Sequence, residues 1–146
     1  ARVAGWADGL VTVNQPVDVL RDVLAAYRDA GGRGRTALQV HLSWAPTEEE
    51  ALSVAHDQWA GNVYGPPISW DLETAEAFDV LWGQVEPESV RDSVRVSADL
   101  AQHREWLAEY AALGFDDLYL HHVGQQQAAF IDTFGEHVLP ALSTEA

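Results

Sequence analysis

GFDDLYLHHVGQQQAAFIDTFGEHVLPAL, residues 114–142, reads as one complete strand-then-helix unit. Gly114 stops a preceding helix, and Leu118 to Val123 is short, apolar and bounded by a second glycine, as a buried strand should be. From 126 to 141 the apolar residues recur at helical spacing. Similar units stand upstream. Leu10 to Val13 (LVTV) is β-branched and apolar, and follows the turn signal Asp8-Gly9. Asn14-Gln15-Pro16 then opens a helix over 17–30, with a polar cap and an early proline, and Gly31-Gly32 closes it. In Ala37 to Trp44, Leu38, Val40 and Leu42 alternate with Gln39, His41 and Ser43, which predicts a second strand. Thr47 with Glu50 is a capping box for a helix running to about Trp59.

The middle of the chain is less regular. Residues 61–67 (GNVYGPP) form a loop, 71–83 and 87–92 look helical, and Arg95 to Ser97 is extended. Ser97 or Asp99 caps a helix to Leu113, and residues 1–7 look like the last turns of a helix. Three good strands alternating with helices imply right-handed parallel β/α units and an α/β fold. So few strands among so many helices suit part of a (β/α)8 barrel better than an open sheet. The expectation is a single partial domain over 1–146, the C-terminal half of a TIM barrel whose N-terminal half is absent.

Composition narrows the partners. The chain has 146 residues, 23 acidic and 8 basic, for a formal charge of −15. That balance argues against nucleic acid and against anionic membranes. All basic residues are arginines, and cysteine is absent, which removes disulfides, thiolate metal sites and cysteine nucleophiles. No run is long and apolar enough to span a bilayer, and a cytoplasmic protein is expected. No phosphate loop of the GxGxxG or Walker type occurs.

In such a barrel ligands bind at the C-terminal ends of the strands. Leu38, Val40 and Leu42 should face helices, which turns Gln39, His41 and Ser43 inward. On the third strand Tyr119 and His121 point inward likewise. The candidate cofactor- or substrate-binding residues are Asn14, His41, Ser43, Trp44, Tyr119, His121 and His122. Each has a plain alternative. Asn14 reads more simply as the cap of the following helix, Trp44 as a lid on the barrel mouth, and His121 as a hydrogen-bonded interior histidine. His121 and His122 point to opposite faces, and a His41–His121 pair lacks a third ligand, so no metal is expected. Trp59, Trp82 and Trp106 read as packing residues, and Asp116-Asp117 as structural. Trp6 and Trp70 stand near breaks and are expected to meet the missing half or a partner chain. No residue presents itself as a catalytic nucleophile.

AGWADGLVTV, LQVHLSWAPTEEEAL and GFDDLYLHHVG…FIDTFGEHVLPAL resemble the C-terminal half of the bacterial-luciferase-like oxidoreductases. The resemblance covers nearly the whole chain. It implies hydride transfer between FMN or the deazaflavin F-420 and a small organic substrate, with oxygen activation as in the monooxygenase members of the family. Within the family the chain is similar to the group around the deazaflavin-dependent sugar-phosphate dehydrogenases. TVNQP, QVHLSW and YLHHVG look most like a branch using ordinary flavin, so FMN is the preferred cofactor. The basic residues that hold a sugar phosphate in that group have no counterpart at Asn14-Gln15-Pro16, Asp92 or Gln127-Ala128-Ala129. A phosphate dianion needs charge-assisted partners, so a sugar phosphate is not the expected substrate. The alternative is a non-catalytic half-barrel that dimerises or associates with another protein. Unpaired strand edges favour such assembly, and either reading predicts a homo-oligomer or association with the N-terminal half.

Overall fold

The structure, a computed structural model, describes residues 4–65 and 67–142. In chain order it contains β1 (Gly9–Val13), α1 (Val17–Asp29), β2 (Arg35–Ser43), α2 (Glu48–Trp59), α3 (Ala75–Trp82), β3 (Arg95–Val96), α4 (Leu100–Ala111), β4 (Asp117–His122), α5 (Gln127–His137) and α6 (Leu139–Leu142). Short 3-10 turns cover Ala60–Asn62, Ile68–Trp70 and Pro87–Asp92.

All strand pairs are parallel, and β2 is central. Along a strand the carbonyls alternate between its two edges. Those of Gln39 and Ser43 accept from Asn14 N and Ser97 N, while those of Thr36 and Leu42 accept from Asp116 N and Val123 N. β1 and β3 therefore lie end to end along one edge of β2, and β4 occupies the other. The long strands run β1–β2–β4 in sequence order, each joined to the next by helices. That is the neighbour order of consecutive strands in a β/α barrel.

Side-chain alternation sets the two faces. Leu38, Val40 and Leu42 are fully buried in one cluster with Leu20 of α1, Leu107 and Tyr110 of α4, and Phe130 and Phe134 of α5. Each such aliphatic side chain contributes roughly 1.5–3 kcal/mol by leaving water. A second cluster joins Ala51 and Ala55 of α2 to Val85, Val90, Val94, Val96 and Val123. It seats α2 on the C-terminal ends of the strands. On the other sheet face Val11, Val13 and Tyr119 stay exposed, at 67%, 43% and 54%.

Local chemistry accounts for the element ends. Thr47 caps α2, accepting from Glu50 N at 3.2 Å, while its hydroxyl donates to the Glu50 carboxylate at 3.0 Å. Asp99 caps α4, accepting from Ala101 N. Gly31 and Gly114 both adopt φ +88°, a left-handed conformation that ends α1 and precedes β4. At the N-terminal end of the sheet Asp116 accepts from Thr36 N and Thr36 Oγ1, and Arg35 pairs with Asp117. Both aspartates are structural, as expected.

Several expectations are corrected. Residues 4–6 form a turn rather than a helix end, and residues 1–3 of that reading lie outside the described residues. The sheet has a fourth strand, β3, of two residues. The helix expected over 71–83 begins at Ala75, because Thr74 caps it by accepting from Ala77 N. The helix expected to reach Leu113 ends at Ala111. The closing helix breaks at Val138, because Pro140 has no N–H to continue the ladder.

Candidate functional site

The seven candidate residues separate into three settings. The first is the exposed sheet face at the C-terminal ends of β2 and β4. The register pairs Gln39 with Tyr119 and His41 with His121, so those side chains share a face, as the alternation predicted. There the His41 and His121 rings meet Nδ1 to Nδ1 at 2.8 Å, edge to face. Two N–H groups cannot point at each other, so one Nδ1 donates and the other accepts. The pair holds a single proton in that bond. Neither Nε2 has a hydrogen-bond partner among the described residues.

Trp59, the last residue of α2, closes this site. Its ring lies 4.6 Å from that of His41 and 5.3 Å from that of His121. Burial, reinforced by the neighbouring His121, lowers the His41 pKa from 6.5 to about 4. His41 is therefore neutral at pH 7. The helical periodicity of Trp59 reads as packing, and it does join the second cluster. Its ring contacts with the histidine pair were not legible, because sequence does not say which way α2 crosses the strand ends.

The second setting is the gap between β1 and β3. Asn14 does not cap α1; Pro16 occupies the cap position and no side chain bonds there. Instead Asn14 Oδ1 accepts from His41 N at 2.9 Å, and its Nδ2 donates to the Ser93 carbonyl at 3.2 Å. Where β1 stops and β3 has not begun, an amide supplies the missing backbone partner. Asn14 thus positions the His41 backbone. Ser43 is also withdrawn from ligands. It is on the expected face but fully buried under α2, donating to the Ala51 carbonyl at 2.8 Å.

The third setting lies across the sheet. His122 faces the helices, stacked on Phe130 at 4.8 Å and 15°. Trp44 donates to the Ala98 carbonyl at 3.2 Å and meets Phe134 edge-on. Burial lowers the His122 pKa, with the Leu42 carbonyl opposing and His121 adding to the effect. Elsewhere His103, fully buried in α4, donates from Nε2 to the Ser97 carbonyl, and burial keeps its pKa low.

Charge is distributed one way. Among the described residues Arg28 pairs with Asp116, Arg35 with Asp117, and Arg91 with Glu48 and Glu88, while Arg95 donates to the Tyr110 hydroxyl. The histidine pair has aromatic and amide neighbours and no cation in contact. No group of three or more metal-ligating side chains occurs among the described residues, and no helix is long and apolar enough to cross a membrane.

No family model matches the chain. It is 33% identical over 129 residues to an F420-dependent glucose-6-phosphate dehydrogenase of Microbacterium testaceum, covering 86% of this chain and 32% of that protein. A second such dehydrogenase, from Nakamurella multipartita, is 28% identical over 97% of the chain and 44% of its own length. The chain thus spans 32% and 44% of the lengths of these two curated relatives. Among solved structures, an F420-dependent secondary alcohol dehydrogenase superposes with a TM-score of 0.71 at 20% identity, over 94% of this chain and 43% of that one. A riboflavin lyase holding modified FMN superposes with a TM-score of 0.56 at 21% identity, over 94% and 39%. These likenesses show the fold: parallel β/α units that superpose on rather less than half of each neighbour's chain.

Proposed function

From the kinship of this chain with the luciferase-like oxidoreductases, we propose that it forms the C-terminal half of an enzyme transferring hydride between a flavin-type cofactor, F420 or FMN, and a small organic substrate. The observation that carries the reading is the His41–His121 pair, backed by Trp59, at the strand ends of the open sheet face. That face fits one wall of a planar tricyclic ring. It offers no free cation for a phosphate tail, so other parts of the protein hold the tail.

When bound, the cofactor accepts or donates the hydride. The residues of this chain handle the proton. The pair shares one proton through its Nδ1 atoms and leaves an Nε2 able to take another from a substrate hydroxyl. A positioned base of this kind contributes roughly 10²–10⁴ in rate. The absence of a free cation near the pair supports an uncharged substrate in place of a sugar phosphate.

Titration of the protein with F420 and with FMN, followed by cofactor fluorescence and then by single-turnover kinetics, tests this reading. His121→Leu is expected to slow turnover at least about a hundredfold with cofactor affinity little changed, and glucose 6-phosphate is expected to be inert. Unaltered turnover in His121→Leu, or efficient use of the phosphorylated sugar, overturns it.

The exposed Val11, Val13 and Tyr119 also favour a second reading, a non-catalytic half-barrel whose open face is covered by another chain. It predicts stable assembly without any cofactor.

A further inference from the structure

His122 and Trp44 take no part in the site around His41, yet they line a cleft of about 350 Å³. It opens on the opposite side of β4, between α2 and the turn leading into α5. Trp44 to Pro46 form one wall, Glu50 and Val54 of α2 a second, and Gly124 to Gln126 with Ala129 a third. The lining is mostly apolar, and the volume suits a molecule of about one ring.

His122 is the anomaly in this cleft. It is 4% exposed, and its Nδ1 is buried without a hydrogen-bond partner. Native proteins seldom leave a buried imidazole nitrogen unsatisfied. Nε2 is the atom aimed at the cleft: a Cβ added at Gly124, in the cleft lining, would come within 2.7 Å of it. The absent side chain at Gly124 is what keeps Nε2 reachable.

We infer that this cleft is a second binding site, taking a small uncharged one-ring molecule that bears a hydroxyl. The hydroxyl is argued from His122. A neutral imidazole presents either a donor or an acceptor at Nε2, and a hydroxyl satisfies both forms. The ring is argued from Trp44 and the apolar walls. Neutrality is argued from the acidic Glu50 in the lining, which disfavours anions, and from the lack of any arginine there. The site stands on the cleft and His122 alone and does not depend on the oxidoreductase reading.

The test uses phenol as probe and benzoate as its charged counterpart, with ¹H–¹⁵N NMR of the isotope-labelled protein. Phenol is expected to shift the Trp44 indole and the Gly124–Gln126 amides saturably, and benzoate to leave them unmoved. His122→Phe is expected to weaken phenol at least about tenfold, the cost of one lost hydrogen bond. Ala129→Leu fills the cleft from an exposed helix position and is expected to abolish the shifts while the remaining spectrum stays folded. No saturable shift with phenol, equal shifts with benzoate, or unchanged phenol binding in Ala129→Leu would each overturn the inference.

Discussion

At the scale of single residues, the decisive contact is His41 against His121. Its alternation was legible: residues two apart on a strand share a face, and of the expected inward residues Gln39, His41, Tyr119 and His121 lie together while Ser43 is sealed under α2. The direct ring-to-ring bond was not legible, because it depends on the register of β2 with β4. The pair has a consequence for pH. His41 titrates near 4 in the folded chain against 6.5 when unperturbed. Between those values the unfolded chain binds the proton that the fold refuses. Stability from this group is complete above about 6.5 and is lost as the pH falls toward about 4. Urea unfolding across that range should show wild type losing more stability than His41→Phe; parallel curves would refute the assignment. Asn14 shows where residue-type rules mislead. A capping residue beside Pro16 is a good local reading, and a long-range gap in the sheet outcompetes it. Asn14→Ala should cost about 1–3 kcal/mol by leaving the His41 amide unsatisfied, and Asn14→Ser, an equally good cap, should not restore it.

Among the elements, those with strong local chemistry match their sequence signals within a residue or two. The capping box at Thr47, the stops at Gly31 and Gly114, and the alternation of β2 all act through neighbours in the chain. Thr47→Ala should therefore cost about 1 kcal/mol. Gly114→Ala should cost roughly 1–2 kcal/mol, since its φ of +88° disfavours any Cβ. Thermal unfolding of the two variants checks both figures, and wild-type melting of Gly114→Ala would contradict the left-handed assignment. β3 was missed as a sheet strand because two residues carry no periodicity; its pairing depends on β2 ending beyond β1. The path of α2 was equally hidden. Its sequence names a helix and an apolar stripe, but tertiary packing alone lays it across the strand ends, sealing Ser43 and bringing Trp59 onto the histidine pair. The Asp116 clamp at the other end of β2 was read as structural. The Thr36 amide and hydroxyl hold its carboxyl below the usual range, so its contribution is present above the ordinary carboxylate pKa and is lost as pH falls through the lowered value.

At the scale of the molecule, the strand order β1–β2–β4 is that of consecutive strands in a β/α barrel, and one sheet face leaves Val11, Val13 and Tyr119 exposed. The sequence suggested part of a barrel, since so few strands among so many helices suit an open sheet poorly. A surface of this kind is an interaction site when contiguous and apolar. Val11→Asp on that face should weaken assembly of the protein with whatever completes the barrel while leaving the β1–β2 pairing intact, as analytical ultracentrifugation would show. The proposed function makes these residues half of a cofactor-binding barrel. Native mass spectrometry of the protein purified from its own cells tests it most directly. The expected result is that the segment occurs within a larger chain or a stable assembly carrying a flavin-sized adduct. A bare 16.0 kDa monomer without adduct or partner would contradict it.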